Sequence, residues 1–300
     1  MPCTFGVGLR ISVVAVVILA SISAVRADEP VFGFIYTTDL LPKGQKEVEQ
    51  WLTWRHQKAG GYYDQLENRT EFSYGLTDNF QLSGYVNYNW TQANRNAVDG
   101  TTAPPEQFSD FGFDPNAPFS AARYVGTSVE AIYRVLSPYT DPVGLAFYVE
   151  PTWGPNFREI ETRVIVQKNF LDDRLIIASN LTVAPELRQN VAPPKNETDM
   201  NLSLGVSYRF APNWSFGWET QYEREIYDLA LFAASKQITD ATYTGPTIHY
   251  GGERFFVTLT AWEQLPLAHD YAGLGVIKHG RDYDVDFEKF RVRVKFGIYF

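Results

Sequence analysis

The last eleven residues of the chain, FRVRVKFGIYF, alternate strictly between apolar and polar positions. The apolar set is Phe290, Val292, Val294, Phe296, Ile298 and Phe300, and the positions between them hold Arg291, Arg293, Lys295 and Gly297. A strand with this period of two has one apolar face and one charged face. The pattern predicts a membrane-spanning strand that faces lipid on one side and a polar lumen on the other. The alternative is an edge strand of a soluble β-sandwich.

Segments of the same kind recur from residue 45 onward at intervals of about twenty residues, each bounded by turn-forming residues. The clearest, from Asp199 to Phe210, alternates perfectly, whereas the first, Glu47 to Arg55, has Trp51 among its polar positions. The fourth, Tyr124 to Val135, sets Val125, Val129, Ala131, Tyr133 and Val135 against Ser128, Glu130 and Arg134. About twelve segments are present, an even number as expected for a bacterial membrane barrel.

The connections between these segments alternate in length. The short ones are GLTDN, SPYTDP, LDDR, APN and GGE, and the long ones span Gln92 to Ser120, Leu187 to Glu197, Asp228 to Asp240 and Leu265 to Asp284. Short turns at one end and long loops at the other are typical of outer-membrane barrels, and a soluble sandwich has no reason to sort them. We therefore predict an all-β fold: an antiparallel transmembrane β-barrel of about twelve strands, with short periplasmic turns and long extracellular loops.

The N-terminal end has the pattern of an export signal. An apolar run from Ile11 to Val25 follows Arg10, is too short to cross a bilayer comfortably, and precedes small residues that suit cleavage after Ala27. The predicted organisation is a signal peptide at residues 1–27, a periplasmic N-terminal segment at 28–44 and a barrel at 45–300. The segment at 28–44 could form a plug, add a strand or hang free, and the sequence leaves these alternatives open.

Composition removes several function classes. The single cysteine, Cys3, lies in the predicted signal peptide, so disulfides and thiol chemistry are excluded from the mature chain. Loss of Arg10 and Arg26 would move the net charge from -9 to -11, which argues against a nucleic-acid partner. No cofactor or metal motif is present, so we expect none of either.

The predicted lumen face is rich in charge. Its candidate lining residues are Glu47, Glu49, Glu67, Arg69, Glu71, Glu130, Arg134, Glu150, Glu161, Arg163, Arg209, Glu219, Glu223, Arg291, Arg293 and Lys295. Barrel closure would bring the last strand against the first, so we predict that the three cations of the last strand have Glu47 and Glu49 as cross-strand partners. The set is either a mutually neutralised structural ladder or a constriction that filters solutes by charge.

The four histidines test the possibility of an enzyme. A hydrolase needs a histidine placed with a serine or an acid so that a nucleophile or water is activated. His269 beside Asp270, in a long loop, is the only suggestive pair in the sequence. We therefore expect no enzymatic activity, with a lipid or peptide hydrolase as the alternative.

The stretches YGLTDNFQLSGYVNY, LSPYTDPVGLAFYVEP, KNFLDDRL and SYRFAPNWSFGWE, together with the terminal strand, resemble a family of proteobacterial outer-membrane barrel proteins, loosely labelled transporter-like. The resemblance covers nearly all of residues 31–300 and implies architecture and an outer-membrane location, but no catalytic residues. The terminal strand also resembles the C-terminal assembly signal of such barrels, which implies the barrel-assembly machinery and outer-membrane lipids as partners. The signal residues would be Val292, Val294, Phe296, Ile298 and Phe300.

These observations favour a passive channel or uptake pore for small hydrophilic or amphipathic solutes, because the lumen is charged and the outer loops are long. Two alternatives stay open. One is an outer-membrane hydrolase acting on lipid or peptide. The other is a closed structural or adhesive barrel whose function lies in the loop from Gln92 to Ser120.

Overall fold

A computed structural model of the chain describes residues 31–58, 62–94, 106–112, 114, 117–189, 195–229, 234–269, 276–278, 281–284 and 287–300. The predicted signal peptide at residues 1–27 lies outside these residues. Within the described part no helix has the length and apolar character needed to cross a membrane.

Twelve antiparallel strands form a closed barrel. They are β1 (Lys46–His56), β2 (Tyr62–Thr77), β3 (Phe80–Asn94), β4 (Pro118–Leu136), β5 (Gly144–Trp153), β6 (Phe157–Phe170), β7 (Leu175–Arg188), β8 (Lys195–Ala211), β9 (Trp214–Tyr227), β10 (Gln237–Gly251), β11 (Phe255–Leu265) and β14 (Phe290–Tyr299). Between β11 and β14 lies a hairpin of β12 (Val276–Lys278) and β13 (Arg281–Tyr283). Short 3₁₀ helices span Glu106–Phe111 and Ala234–Lys236. The predicted fold class is confirmed.

The barrel closes where the last strand pairs with the first. Glu47 lies opposite Tyr299, and the backbone amide and carbonyl of Lys46 both bond to Phe300, at 3.2 Å and 3.0 Å. Closure of this kind removes the unpaired strand edges that an open sheet would expose. Both the start of β1 and the end of β14 therefore lie at the same end of the barrel.

The connections at that end, which we call the turn end, are all short. They join β2 to β3, β4 to β5, β6 to β7, β8 to β9 and β10 to β11. The long connections, from β3 to β4 and from β11 to β14 among them, lie at the opposite end, which we call the loop end. This sorting is the one that the sequence predicts for periplasmic and extracellular ends.

The outer surface of the barrel is apolar because successive side chains in each strand point alternately outward and inward. Outward residues such as Leu202, Leu204, Phe216 and Trp218 are half exposed, as expected for side chains that face lipid. The inward positions between them hold polar residues. One prediction is wrong: Val125 is buried inside, although Val129 faces out, because a bulge at Gly126 shifts the β3–β4 register and reverses the faces beyond it.

The chain before β1 lies inside the barrel. Residues 31–44 have no strand or helix, and Phe32, Ile35, Leu40 and Leu41 in this segment are almost completely buried. The segment runs from mid-height of the lumen to the turn end, where the Gly44 amide bonds to the Gly75 carbonyl at 2.7 Å. Of the arrangements that the sequence left open, the structure shows a plug in the turn half of the lumen, and we call residues 31–44 the plug.

Candidate functional site

The loop half of the lumen contains a cavity of about 440 Å³, which we call the vestibule. The plug residues Phe34 and Tyr36 form part of its floor. Nine acidic and eight basic residues line its wall: Glu67, Glu150, Glu159, Glu161, Glu186, Asp199, Glu223, Glu225 and Glu288, with Arg55, Lys58, Arg69, Arg163, Arg188, Arg224, Arg291 and Arg293. The vestibule is therefore nearly neutral overall but strongly charged locally.

The two signs are concentrated on different walls of the vestibule. Six of the nine acids lie on β6 to β9, and Glu159 and Glu186 are direct cross-strand neighbours there. Arg188 lies between Glu186 and Glu197, with its Nε 3.3 Å and 2.9 Å from a carboxylate oxygen of each. On the opposite side, β1, β2 and β14 contribute Arg55, Arg69, Arg291 and Arg293. A solute in the vestibule therefore meets an acidic wall and a basic wall.

Arg69 shows how the basic side is held in place. One Nη of Arg69 donates to a Glu150 carboxylate oxygen at 2.5 Å, and the guanidinium lies 3.7 Å from the ring centre of Tyr85 and 5.0 Å from that of Trp51. A guanidinium stacked on aromatic rings and bonded to a carboxylate is fixed in position without being buried completely. Arg69 is therefore a rigid cationic feature of the wall.

A second network closes the basic wall near the loop end. The Arg291 guanidinium donates to both Glu223 carboxylate oxygens, one of them at 2.9 Å, and it also bonds to Glu288. Arg55 lies 2.6 Å from Glu288 and 2.8 Å from Glu67. Glu288 comes from the connection before β14 and folds inward over the lumen. The network therefore ties a loop to the barrel wall.

Glu288 is the loop residue whose charge this network controls. Burial by itself would raise the pKa of its carboxyl group, but the adjacent Arg291 and Arg55 guanidinium groups outweigh burial and lower the pKa to about 2. Glu288 is therefore ionised at neutral pH, and it holds both arginines in place.

The predicted cross-strand partners are wrong for Arg291 and Arg293, whereas Lys295 lies close enough to Glu49 for their charges to interact. The register places Lys295 opposite Trp51, Arg293 opposite Thr53 and Arg291 opposite Arg55, whereas Glu49 faces Gly297 and Glu47 faces Tyr299. The reason is antiparallel geometry: Glu47 and Glu49 lie near the turn end, beside the last residues of β14, and the cations lie nearer the loop end. Lys295 is only a diagonal neighbour of Glu49.

Lys295 and Arg293 contact aromatic rings and the plug instead. The Lys295 ammonium lies 3.8 Å from the ring centre of Trp51, and the Arg293 guanidinium lies 4.0 Å from that of Phe34. Arg293 also donates to the Gly33 carbonyl at 3.1 Å and to the Thr53 hydroxyl at 2.8 Å. The last strand thus holds the inner end of the plug.

Below the vestibule, in the turn half, lies a second cavity of about 30 Å³, which we call the lower chamber. Its lining is Ile35, Tyr36, Thr37, Asp39, Glu47, Glu49, Trp51, Glu71, Gln81, Glu130, Ile132 and Lys295. Five carboxylates thus surround one lysine. The volume is enough for about two water molecules and too small for an organic solute. Tyr36 and Trp51 line both cavities, and they form the partition between them.

Wall side chains hold the plug by its backbone. Glu219 accepts hydrogen bonds from the amides of Gly33 and Phe34, at 2.8 Å and 2.9 Å. The Asn180 side chain accepts from the Tyr36 amide at 2.7 Å and donates to the Tyr36 carbonyl at 2.9 Å. Two further side-chain amides, those of Gln167 and Gln81, accept from the backbone amides of Thr38 and Leu41. These bonds replace the strand pairing that the plug lacks.

Asp39 is the acidic residue of the plug. It accepts hydrogen bonds from the Tyr139 hydroxyl at 2.9 Å and from the Gln167 side-chain amide at 3.1 Å. Burial raises the pKa of its carboxyl group, and these hydrogen bonds only partly offset that effect. Protonation of Asp39 therefore favours the docked plug.

The predicted lumen residues occupy three levels of the barrel. In the turn half or at mid-height the structure buries Glu47, Glu49, Glu71, Glu130, Glu219 and Lys295. Around the vestibule it places Glu67, Arg69, Glu150, Glu161, Arg163, Glu223, Arg291 and Arg293. Arg134 and Arg209 lie at the turn end: Arg134 bonds to Asn79 and Asp78 in the β2–β3 turn, and Arg209 is exposed. These two therefore belong to the mouth rather than to either cavity.

The residues of the predicted C-terminal signal lie on the outer face of β14. Phe296, Ile298 and Phe300 are exposed, whereas Val292 and Val294 are half-buried. All five share the face that meets lipid.

The aromatic and amide side chains of the lumen could not be predicted from the sequence pattern. Tyr85, Tyr243 and Trp262 are almost completely buried inside the barrel, and Phe34 stacks on Trp262 with ring centres 3.9 Å apart. The one available signal was Trp51, an aromatic residue among polar positions. Asn180 carries no such signal, because an inward amide looks like any other polar residue in an alternating strand.

The histidine that suggested an enzyme is paired differently from the prediction. His269 Nδ1 lies 2.7 Å from Asp240, and Asp240 also accepts from the Tyr222 hydroxyl at 3.0 Å. Asp270, the partner suggested by sequence, lies outside the described residues, as does the side chain of His279. Among the side chains that the structure describes, no group of three or more His, Cys, Asp or Glu is arranged to hold a metal ion.

Residues 24–300 match the model of a family of unknown function, DUF6662. The chain belongs to this family. No curated protein matches this DUF6662 chain by sequence. The predicted resemblance to an outer-membrane barrel family without an assigned function is confirmed.

Among solved structures, this DUF6662 barrel is similar to the COG4313 outer-membrane channel from Pseudomonas putida F1, with a TM-score of 0.57 and 10% identity over 88% of this chain and 98% of that one. The NanC porin is also similar, with a TM-score of 0.49 and 13% identity over 84% and 98% of the two chains. At 10% identity, the likeness to the COG4313 channel shows a shared fold, that of an outer-membrane β-barrel.

Proposed function

We propose that this protein is a gated outer-membrane channel for small hydrophilic solutes, closed by its own residues 31–44. The observation that carries the proposal is the division of one lumen into an open charged vestibule and a plugged turn half. A barrel that served only as a scaffold would have no reason to keep a large cavity on one side of a removable segment. The similarity to a protein described as an outer-membrane channel is consistent with this proposal.

The vestibule has the size of a binding site. Its volume of about 440 Å³ lies within the roughly 300–1,000 Å³ that small-molecule sites occupy. Its walls supply both donors and acceptors, since arginines on β1, β2 and β14 face carboxylates on β6 to β9. A small polar or doubly charged solute would exchange its water for these groups as it entered.

The plug closes the route beyond the vestibule. Tyr36 and Trp51, whose ring centres are 6.4 Å apart, stand between the two cavities, and the lower chamber is only about 30 Å³. Passage of an organic solute therefore requires the plug to move. Gly44 supplies the hinge: its φ of 87° lies in the left-handed region, where glycine is favoured, and it joins the plug to β1.

A substitution at Gly33 tests the proposal. A Cβ at this position would lie 2.4 Å from the Thr260 hydroxyl oxygen, so Gly33→Val forces the inner end of the plug away from the wall. We expect Gly33→Val to raise single-channel conductance in planar bilayers and sugar entry into liposomes. The matched control is Gly84→Ala, since a Cβ at Gly84 meets nothing within 4 Å. Equal, near-zero conductance of both folded variants would favour a closed structural barrel.

A second candidate function is hydrolysis at the loop end. It is favoured by one observation, the His269–Asp240 pair at 2.7 Å, in which the His269 side chain is two-thirds exposed. A histidine oriented by a carboxylate is the arrangement of a general base. Assays of lipid and peptide hydrolysis by the unmodified protein and by His269→Ala test this candidate, and the absence of activity in the unmodified protein would eliminate it.

A further inference from the structure

The contacts between the plug and the wall are directed at the peptide backbone. From Gly33 to Leu41 the wall binds five backbone amides and two backbone carbonyls through hydrogen bonds of 2.7 to 3.1 Å, and Arg134 at the turn end donates to a third carbonyl, that of Thr38, at 3.4 Å. The side chains that make the shorter bonds are Glu219 on β9, Asn180 on β7, Gln167 on β6, Gln81 on β3 and Arg293 on β14. Backbone groups are the same in every peptide, so these contacts do not depend on the sequence of the bound segment.

Asn180 is the most specific of these side chains. Its side-chain amide accepts a hydrogen bond from the Tyr36 backbone N–H at 2.7 Å and donates one to the Tyr36 backbone carbonyl at 2.9 Å. This pair of bonds reproduces the exchange between two residues of an antiparallel ladder, with a side chain in place of a neighbouring strand. Asn180 is completely buried, so the pair has no competing water. Every peptide unit supplies an N–H donor and a C=O acceptor of the kind that Tyr36 supplies here.

The wall also provides two apolar recesses for side chains. In the first recess, Phe32 and Ile35 pack on Ala178. Gly205 leaves room for the Phe32 ring, because a Cβ at position 205 would lie only 2.7 Å from it. Leu40 packs with Ile132, Ala146 and Ile165, which together form the second recess. Shallow apolar recesses between backbone-binding groups accept many side chains, as in sites that bind extended peptides.

We infer that the lumen is a binding track for extended peptides, that the plug is its built-in occupant, and that the solutes which replace the plug are short peptides. This inference rests on the proposed channel function and adds the substrate class. The opposed walls of the vestibule match the charged ends of a peptide, because an α-carboxylate suits Arg69 and Arg293 and an α-ammonium suits Glu159 and Glu186.

Liposome swelling with the full mature chain carrying Gly33→Val tests the inference. The probes are tetra-alanine, tetra-alanine with acetylated and amidated ends, and maltose, which is of similar size but has no peptide group. We expect both peptides to enter about fivefold faster than maltose, the factor that corresponds to one net hydrogen bond of roughly 1 kcal/mol. Slower entry of the blocked peptide than of the free one would assign part of the preference to the vestibule walls.

A second substitution, added to Gly33→Val, tests the role of the track itself. Asn180→Leu removes the amide pair with little change in volume and should abolish the peptide preference without slowing maltose. Gln50→Leu is the matched control, because Gln50 is an amide whose side chain bonds to Asn68 on the neighbouring strand and not to the plug. Each variant is shown to be folded if it keeps the heat-modifiable band that a folded barrel gives on an SDS gel.

The outcomes separate the two proposals. If maltose and both peptides enter Gly33→Val liposomes at the same rate, the peptide track is wrong and the channel stands. If Asn180→Leu and Gln50→Leu reduce the peptide preference equally, the backbone contacts at Tyr36 are not its source and the inference is overturned. If no probe enters any folded variant, the channel function itself fails.

Discussion

Glu219 on β9 accepts a hydrogen bond from the backbone amide of Gly33 at 2.8 Å, and this bond joins the barrel wall to the inner end of the plug. The same carboxylate accepts from the Phe34 amide at 2.9 Å and from the Thr260 hydroxyl at 2.9 Å. Its side chain is completely buried at mid-height of the lumen. One carboxylate that strand alternation places inside the barrel therefore holds the inner end of the plug by two backbone amides.

Glu219→Leu should open the channel. The substitution removes the acceptor for two backbone amides, each worth roughly 1.5–3 kcal/mol when its partner is charged, so we expect the ratio of open to closed channels to rise by about a hundredfold or more. Single-channel recordings measure the open fraction directly. Glu161→Leu, which removes a vestibule carboxylate that bonds to Arg163, is the control. An unchanged open fraction in folded Glu219→Leu would show that this carboxylate does not hold the plug.

The plug should dock more firmly at acid pH because of Asp39. Its pKa is raised by burial above the ordinary 3.8, so the docked state binds the proton more tightly than the undocked state. The contribution of Asp39 to docking is fully present below pH 3.8 and is lost as the pH rises through the raised pKa of the docked state. We expect channel opening to increase over that window.

Asp39→Asn supplies the comparison for the pH effect. The neutral amide should flatten the pH dependence of opening and lower the open fraction at neutral pH, as measured by conductance at a series of pH values. A pH profile of Asp39→Asn that coincides with that of the unmodified channel would contradict the assignment.

Lys295 should set the ion selectivity of the opened channel. It is the only basic residue lining the lower chamber, where Asp39, Glu47, Glu49, Glu71 and Glu130 supply the carboxylates. In the Gly33→Val background, Lys295→Gln should shift the reversal potential in a KCl gradient toward cation selectivity. Arg209→Gln removes a cation at the exposed turn end and should shift it less. A larger shift from Arg209→Gln would show that the selectivity filter lies at the turn end instead of in the lower chamber.

We also propose that the outer face of β14 is read during assembly, with Phe300 as its last contact. Phe300 is exposed on the lipid face, and its ring lies 6.3 Å from that of Phe72. Phe300→Ser should reduce the amount of barrel assembled in cell envelopes while leaving refolding into detergent unchanged. Phe210→Ser, at a similarly exposed lipid-facing position, is the control, and equal losses from both would assign the effect to lipid contact alone.

The alternation of apolar and polar residues was sufficient to predict the barrel. In β8, Leu202 and Leu204 face out while Ser203 and Ser207 face in, and each neighbouring strand repeats this rule. The rule fails at Val125 because the bulge at Gly126 adds a residue that no local pattern reveals. A barrel face can thus be predicted wherever the period of two is unbroken.

The contacts inside the lumen could not be predicted in the same way. Arg291 bonds to Glu223, which lies 68 positions away across the lumen, because side chains that meet inside a barrel come from strands that are not paired. The position of the plug could not be predicted from the pattern either. Residues such as Phe32 and Leu40 are apolar but follow no strand period, and only their exclusion from the barrel wall suggested that they lie elsewhere.

A reversible lock between the plug and the wall tests the central claim most directly. A Cβ at Gly144 would lie 2.4 Å from the Thr38 hydroxyl oxygen, so cysteines at these two positions face each other, and the mature chain is predicted to contain no cysteine of its own. The measurement is single-channel conductance of Thr38→Cys/Gly144→Cys in the Gly33→Val background, before and after reduction, with each single cysteine as a control. The account predicts a silent channel when the bridge is oxidised and restored conductance on reduction, and equal conductance in both states would contradict it.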